Sequence, residues 1–376
     1  MTSASSSRAA SAPRVHTAGD FAREETMLAN RNSGLPLEAL RYDVTPAGLH
    51  FLLIHFDVPF VADEAAWRLS VTGCVRRPLD LSVAALREMP QRTLRVTLEC
   101  AGNGRANVNP RWQTQPWEYG AVGTAEWTGT PLRHVLERAG LTDAARDVAF
   151  LGRDRGIDAG REHDFGRSLT PELAMHEDVL LVWAMNGAPL LPQHGFPLRL
   201  IVPGWFGMAS VKWLDRIEVL DTPFDGYQQV GNYVYRQNKG DAGTPVTHLR
   251  VKSLMTPPGM PDWYTRHRIV EAGVHELTGR AWSGNGVPVA SVAVGVDGVW
   301  NQATLDPPHD VESGKAQSAR AYAWRGWRYR WTATPGEHIL SCRATDANGD
   351  TQPLDPPWDN AGMGNNAAQH VPVTVR

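Results

Sequence analysis

From about residue 247 to its C-terminus the sequence carries almost no helix signal, and this constrains the fold more than any other feature. Short runs follow one another instead: "VHELTGRAWSG", "VASVAVGVDGVW", "RGWRYRWTATPG", "EHILSCRATDANGD" and "AQHVPVTVR". Gly, Pro, Asn-Gly and Asp-Gly punctuate them. Strands of that length between such turns predict a β-sandwich of roughly a hundred residues. The texture changes around "NKGDAGTPVTHL", which sets a boundary near residue 245.

Before that boundary the pattern is mixed. "RTLRVTLEC" alternates Leu94, Val96 and Leu98 against Thr93, Arg95 and Thr97, as a half-buried strand does. "TGTPLRHVLERAG" reads as a helix in which Thr130 caps the start and Pro131 occupies the first turn. Leu132, Val135, Leu136 and Ala139 share one face before Gly140 ends it. "RDVAFLG", "EDVLLVWAMNG", "PLRLIVPG" and "VKWLDRIEVL" predict further strands. The elements interleave without a strict β-α-β rhythm, so the expected class is α+β. Three segments result: a disordered tail over 1–24, a mixed domain over 25–245 and a β-sandwich over 246–376.

With 376 residues, 42% hydrophobic and 20% charged, the chain is long enough for two cores. A net charge of −3 supplies no field to condense a polyanion, which argues against a nucleic-acid partner. Cys74, Cys100 and Cys342 are far apart and odd in number, so neither a disulfide framework nor a C-x-x-C zinc pattern is expected. The Ala/Ser-rich first twenty residues lack an apolar run and a twin-arginine pair, and no apolar window nears the ~20 residues of a membrane span. These features lead us to expect a cytoplasmic protein with no membrane partner.

The chemistry-bearing stretches are two. In "RVTLECAGNGR", a strand ends on Cys100 and runs into a loop holding Gly102, Gly104 and Arg105. Glycines let backbone N–H groups approach a ligand, and the arginine fork suits an oxyanion or phosphate. A soft thiolate there suits a metal carried by an anionic organic cofactor. A nucleophilic cysteine needs a neighbouring His or helix N-terminus, which the local sequence does not supply. The second stretch, "HGFPLRLIVPGWFGMASVKW", sets His194, Arg199 and Lys212 around a Gly- and Pro-flanked strand, as in a pocket for a phosphorylated ligand.

Together, "TLECAGNGR", "GAVGTAEWTGTPLRHVLERAG", "MNGAPLLPQHGFPLRLIVPG" and "VKWLDRIEV" resemble the sulfite oxidase family of molybdenum enzymes. The stretch "GEHILSCRATDANGDTQPLDPPWDNAGMGNNAAQHVPVTV" is similar to that family's immunoglobulin-like dimerisation domain. The resemblance runs from about residue 25 to the end. It implies a molybdopterin-binding catalytic domain over 25–245, a homodimer formed through 246–376, and Cys100 as the protein's thiolate ligand to molybdenum. It also implies that His55 contacts the pterin and that Asp154, His194, Arg199, Ser210 and Lys212 hold the pterin and its phosphate, with Asp158 a nearby rival to Asp154. Arg105 would line the cofactor and substrate pocket, and Tyr233 falls where the family places a tyrosine beside the metal.

Two positions depart from the family pattern. Leu53 and Ile54 stand where the family's sulfite oxidases carry Arg-Asn before the histidine, and Ala361 stands in the place of an arginine. Arg105 is left to meet an anion, with Arg111 or Arg236 as nearby candidates to assist. The implied activity is two-electron oxygen-atom transfer at molybdenum, with sulfite or a related sulfur compound as the small-molecule reductant. A neutral substrate, or reduction of an S-oxide, N-oxide or nitrate, stands as the alternative. No C-x-x-C-H haem motif occurs, so we expect no haem and an external electron acceptor such as a cytochrome, dioxygen or a dye-like carrier. Trp324, Trp327 and Trp331 are expected in the sandwich core and interface, whereas Trp112, Trp117 and Trp205 lie near the cofactor motifs.

Overall fold

The computed structural model describes residues 23–111, 113–308 and 321–376. Most of the tail expected to be disordered, and Trp112, therefore lie outside the described residues. Along the first part of the chain run β1 (Arg68–Gly73), β2 (Leu79–Ser82), β3 (Arg92–Glu99), β4 (Val122–Pro131) and β5 (Asp147–Asp158). They are followed by β6 (Arg161–Leu169), β7 (Leu180–Met185), β8 (Ala188–Pro189), β9 (Arg199–Ile201) and β10 (Leu214–Leu220).

These strands make two sheets. One has the order β2-β1-β10-β5-β6; the other runs β3-β4-β7-β8, with β9 also on β7. Strands β1 and β10 pair in parallel while their neighbours pair antiparallel. The helices between them are short, such as Val83–Arg87, Leu132–Ala139 and Pro171–Ala174. Helices connect strands here without covering a parallel sheet, which makes the class α+β.

Two local expectations need correction. Thr130 does not cap the helix Leu132–Ala139. Strand β4 continues to Pro131, the Thr130 hydroxyl donates to the Pro90 carbonyl at 2.9 Å, and the free Leu132 N–H goes to Val179 O on the neighbouring chain at 2.8 Å. Pro131 is likewise not in the first turn but the extended residue before the helix; the apolar face and the stop hold, since Leu132, Val135, Leu136 and Ala139 are buried and Gly140 ends the helix at φ 72°. Strand β3 is half-buried only at its start. Thr97 is fully buried, because residues from the C-terminal part cover it: its N–H donates to Tyr322 O at 2.9 Å and its hydroxyl accepts from Trp324 N at 2.8 Å.

A two-stranded ribbon, β11 (Val234–Tyr235) with β12 (Thr244–Pro245), leads into the second part. There follow β13 (Lys252–Met255), β14 (Met260–Pro261), β15 (Arg268–Val270), β16 (Gly273–Trp282), β17 (Val289–Val296) and β18 (Val299–Gln302). The last strands are β19 (Thr304–Leu305), β20 (Arg325–Ala333), β21 (Gly336–Asp346) and β22 (Gln369–Val375). They form the sheets β13-β16-β20-β19 and β14-β15-β22-β21-β17-β18, an immunoglobulin-like sandwich. Its core joins Val292, Val294, Trp327, Trp331, Leu340 and Cys342. Trp324 sits elsewhere. With Leu254, Trp282 and Met363 it packs into the larger core of the first part, so the C-terminal residues close the cofactor-side core as well as their own.

Candidate cofactor and active site

Strand β3 delivers Cys100 to a tight turn. The Cys100 N–H donates to Ala121 O and its carbonyl accepts from Asn103 N, each at 2.9 Å. Trp117, Ala121, Phe51 and Leu53 pack around the thiol. Burial pushes the thiol pKa up, against the pull of the nearby Arg105 cation. Arg105 lies folded over the turn. A Cβ at Gly102 would stand 2.7 Å from the guanidinium carbon, and one at Gly362, where φ is +64°, would stand 2.7 Å from Arg105 Cγ. At Gly362 the left-handed backbone and the Arg105 stem together favour glycine, whereas a side chain at Gly102 would push the Arg105 guanidinium aside. Arg105 Nε donates to Ala361 O at 2.6 Å.

The turn is also held from the C-terminal part. Lys252 Nζ donates to Glu99 Oε1 at 2.8 Å, to Asn103 O at 3.2 Å and to Asn365 O at 2.8 Å. Trp282 Nε1 donates to Glu99 Oε2 at 2.9 Å, and Gly364 N donates to Ala101 O at 2.7 Å.

Cys100 opens on a cleft of about 650 Å³ of space unfilled by protein atoms, part of it open to solvent, and Tyr233, His55, Asp154, His194, Arg199, Ser210 and Lys212 line the same cleft. Arg199 leaves β9 with its two terminal nitrogens committed to His194 O at 3.0 Å and Ser210 O at 3.1 Å. Lys212 Nζ donates to Leu53 O at 2.9 Å and Gln193 O at 3.1 Å. The Ser210 hydroxyl accepts from Val202 N at 3.1 Å. His55 Nε2 and the Tyr233 hydroxyl share a hydrogen bond of 2.6 Å, and the imidazole lies against the Phe165 ring at 4.6 Å.

Three buried polar atoms in this cleft, Asp154 Oδ1, Arg199 Nε and His50 Nε2, have no protein partner. Burial pushes Arg199 down to about 9 and lowers Lys212, whose cation is further opposed by Arg199. Burial also holds His194 and His55 at about 3. Cations stripped of water with few anions to answer them suit a pocket for an anionic ligand. Among the described residues no group of three or more His, Cys, Asp or Glu side chains is placed to hold a metal ion. A metal at Cys100 would need further donors beyond these side chains. A buried thiol at Cys100 and the cations Arg199 and Lys212 beside His194, all on one cleft wall, fit a phosphorylated, metal-bearing organic cofactor.

Of the residues expected from sequence, Arg105 alone is absent from the cleft wall. It stands beside Cys100 in the loop. Asp154 is on the wall, whereas Asp158 accepts from Gln228 Nε2 at 3.2 Å. Neither Arg111 nor Arg236 lines the cleft: Arg111 is ion-paired to Glu25, and Arg236 donates to Gly231 O at 2.9 Å and Val230 O at 3.2 Å. Trp117 does wall the thiol. Sequence reasoning missed His50, Arg167 and Lys252. His50 precedes His55 by five residues in "HFLLIH" and carries a local signal; the other two gain their meaning only from distant partners.

The fold and cleft define a molybdopterin-dependent oxidoreductase. A profile described as "Oxidoreductase molybdopterin binding domain" matches residues 55–228, and one described as "Mo-co oxidoreductase dimerisation domain" matches residues 244–376. Human mitochondrial sulfite oxidase is 34% identical over 400 residues, covering 97% of this chain and 69% of that protein. NADH nitrate reductase 2 of Phaseolus vulgaris is 32% identical over 381 residues, covering 92% of this chain, which spans 41% of that protein's length. The crystal structure of the sulfane dehydrogenase SoxCD from Paracoccus pantotrophus superposes with a TM-score of 0.76 at 25% identity, over 98% of this chain and 96% of that one. The chain belongs to the sulfite oxidase family.

Proposed function

We propose that this protein oxidises sulfite or a related sulfur compound at a molybdenum–pterin centre and passes the electrons to an external acceptor. The observation that carries the reading is the shared cleft: the Cys100 thiol and the cations Arg199 and Lys212 line one space. The bound centre supplies two-electron oxygen-atom transfer. Cys100 would give it a protein thiolate, and Lys212, Arg199, His194, Ser210 and Asp154 would hold its pterin and phosphate. Arg105, fixed through Ala361 O, presents positive charge to an anionic substrate. Tyr233, hydrogen-bonded to His55, orients water or a proton at the reacting face. We further infer a cytoplasmic homodimer paired through a sandwich domain beginning near residue 246. Similarity to a sulfane dehydrogenase over nearly its whole length supports sulfur oxidation over nitrate reduction.

A second reading, a neutral or singly charged sulfur compound, is favoured by one observation. Leu53 and Phe51 pack around the thiol, and Ala361 offers Arg105 only its carbonyl. The deciding experiment is turnover of metal-quantified holoprotein with sulfite and ferricyanide over a wide sulfite range. Saturable turnover at low sulfite supports the first reading. Full molybdenum with turnover of an organic sulfinate but not of sulfite supports the second. Inertness to every sulfur donor at full molybdenum would overturn both.

A further inference from the structure

We propose that Arg167 is the positioning residue for Tyr233, clamping both ends of the segment from which the phenol reaches the cleft. The proposal rests on the reading of Tyr233 as a member of the reaction site.

Arg167 lies on β6 and is 2% exposed. Among the described residues no carboxylate pairs with it. Its Nη1 donates to Gln228 O at 2.6 Å and its Nη2 to Val246 O at 3.0 Å. Those two residues also frame Tyr233 through the backbone. The Gln228 carbonyl accepts from Tyr233 N at 3.4 Å, and Val246 N donates to Tyr233 O at 2.9 Å. One planar fork thus ties the turn Gln228–Asn232 to Val246, the residue just after β12, with Tyr233 between them in the chain. The guanidinium carbon is 5.9 Å from the centre of the Tyr233 ring.

A buried guanidinium answered only by neutral carbonyls is a costly device, and its Nε finds no partner at all. Two amide donors would satisfy the same carbonyls without a charge. What the cation adds is a fixed spacing between two donors and a positive field at the phenol. The field opposes the effect of burial on Tyr233, as does Arg105 from the thiol loop. Both features favour a phenol whose oxygen keeps its place, 2.6 Å from His55 Nε2.

Arg167→Lys keeps the charge and loses the fork; Arg167→Gln loses both. Both variants are made, so that one folded protein suffices. At wild-type molybdenum content, R167K is expected to lose about a hundredfold in kcat, the scale of a reacting group displaced by an ångström, with KM little changed. In a Tyr233→Phe background the same substitution is expected to cost nothing further. The second readout needs no cofactor. In ¹⁵N-histidine-labelled apoprotein, the His55 Nε2 resonance, assigned with His55→Gln, is expected to lose its strong hydrogen-bond shift in R167K or R167Q. Wild-type kcat in R167K, an equal loss in the Y233F background, or an unmoved His55 resonance would each overturn the clamp. Wild-type holoprotein inert toward sulfur donors would instead strike the functional reading, and the apoprotein spectrum would still decide the role of Arg167.

Discussion

Lys252 Nζ sits 2.8 Å from Glu99 Oε1, and both side chains are almost wholly withdrawn from water. The pair links β13 of the sandwich to the residue just before Cys100. Glu99 also accepts from Asn103 and Trp282, so its carboxylate organises the thiol turn. Removing one partner of such a pair leaves a buried charge uncompensated, at a cost of about 3–5 kcal/mol. Lys252→Met is therefore expected to lower the unfolding free energy by about that much and to reduce molybdenum content, measured by denaturant titration and metal analysis. Glu99→Gln with Lys252→Met is expected to recover most of the stability, since no charge is then stranded.

Cys100→Ser is expected to abolish turnover with the fold intact, as circular dichroism and the melting temperature report. Cys342 supplies the contrast. It lies fully buried in the sandwich core, where burial pushes its thiol to about 12. Cys342→Ser replaces a buried thiol, whose Sγ lies 3.8 Å from Gln369 Oε1, by a shorter and more polar hydroxyl, and is expected to cost about 1–3 kcal/mol of stability while leaving kcat unchanged.

Acid should loosen the cofactor-free protein. Burial holds His50 at about 4, and burial, with neighbouring cations, holds His55 and His194 at about 3. In the unfolded chain an imidazole titrates near 6.5. Between about 3 and 6.5 the unfolded state therefore binds more protons than the folded one, and stability falls as pH falls through that window. Each imidazole contributes at most about 1.4 kcal/mol per pH unit. The apoprotein is expected to melt at a lower temperature at pH 5 than at pH 7, with a shallower slope in His194→Gln. An anionic cofactor favours the protonated imidazoles, so the loaded protein should show less acid loss.

Leu53 faces the cleft beside Cys100, and its carbonyl is bound by Lys212 Nζ whatever its side chain. Leu53→Arg should therefore add a guanidinium without disturbing that contact. A charge-assisted hydrogen bond to an oxyanion is worth roughly 1.5–3 kcal/mol. Steady-state assays are expected to find the KM for sulfite lowered by one to two orders of magnitude, with little effect on an uncharged substrate.

The strands of both parts were legible because turn residues bracket them and their alternation survives in the sequence. The cleft was legible where its groups come from contiguous segments, as with His194, Arg199, Ser210 and Lys212. Thr130 misled because Thr-Pro is a good helix start in isolation, whereas here strand pairing extends through Pro131 and the carbonyl of Val179, just before β7, takes the first free N–H. Lys252 looked like an ordinary strand residue, since its partner Glu99 lies 153 positions away. Arg167, likewise, shows its role only through carbonyls 61 and 79 positions along the chain.

The thiol turn has a consequence for biosynthesis. Its supports are Lys252, Trp282, Ala361, Gly364 and Asn365, all made after the cleft's own residues. A nascent chain that has left the ribosome only as far as Pro245 already carries Cys100, Arg199, Lys212 and Tyr233, but it lacks every one of those supports. The thiol turn is fully supported only once the chain through Asn365 has been made and docked, so a product truncated before that point is expected to hold a metal-bearing cofactor poorly.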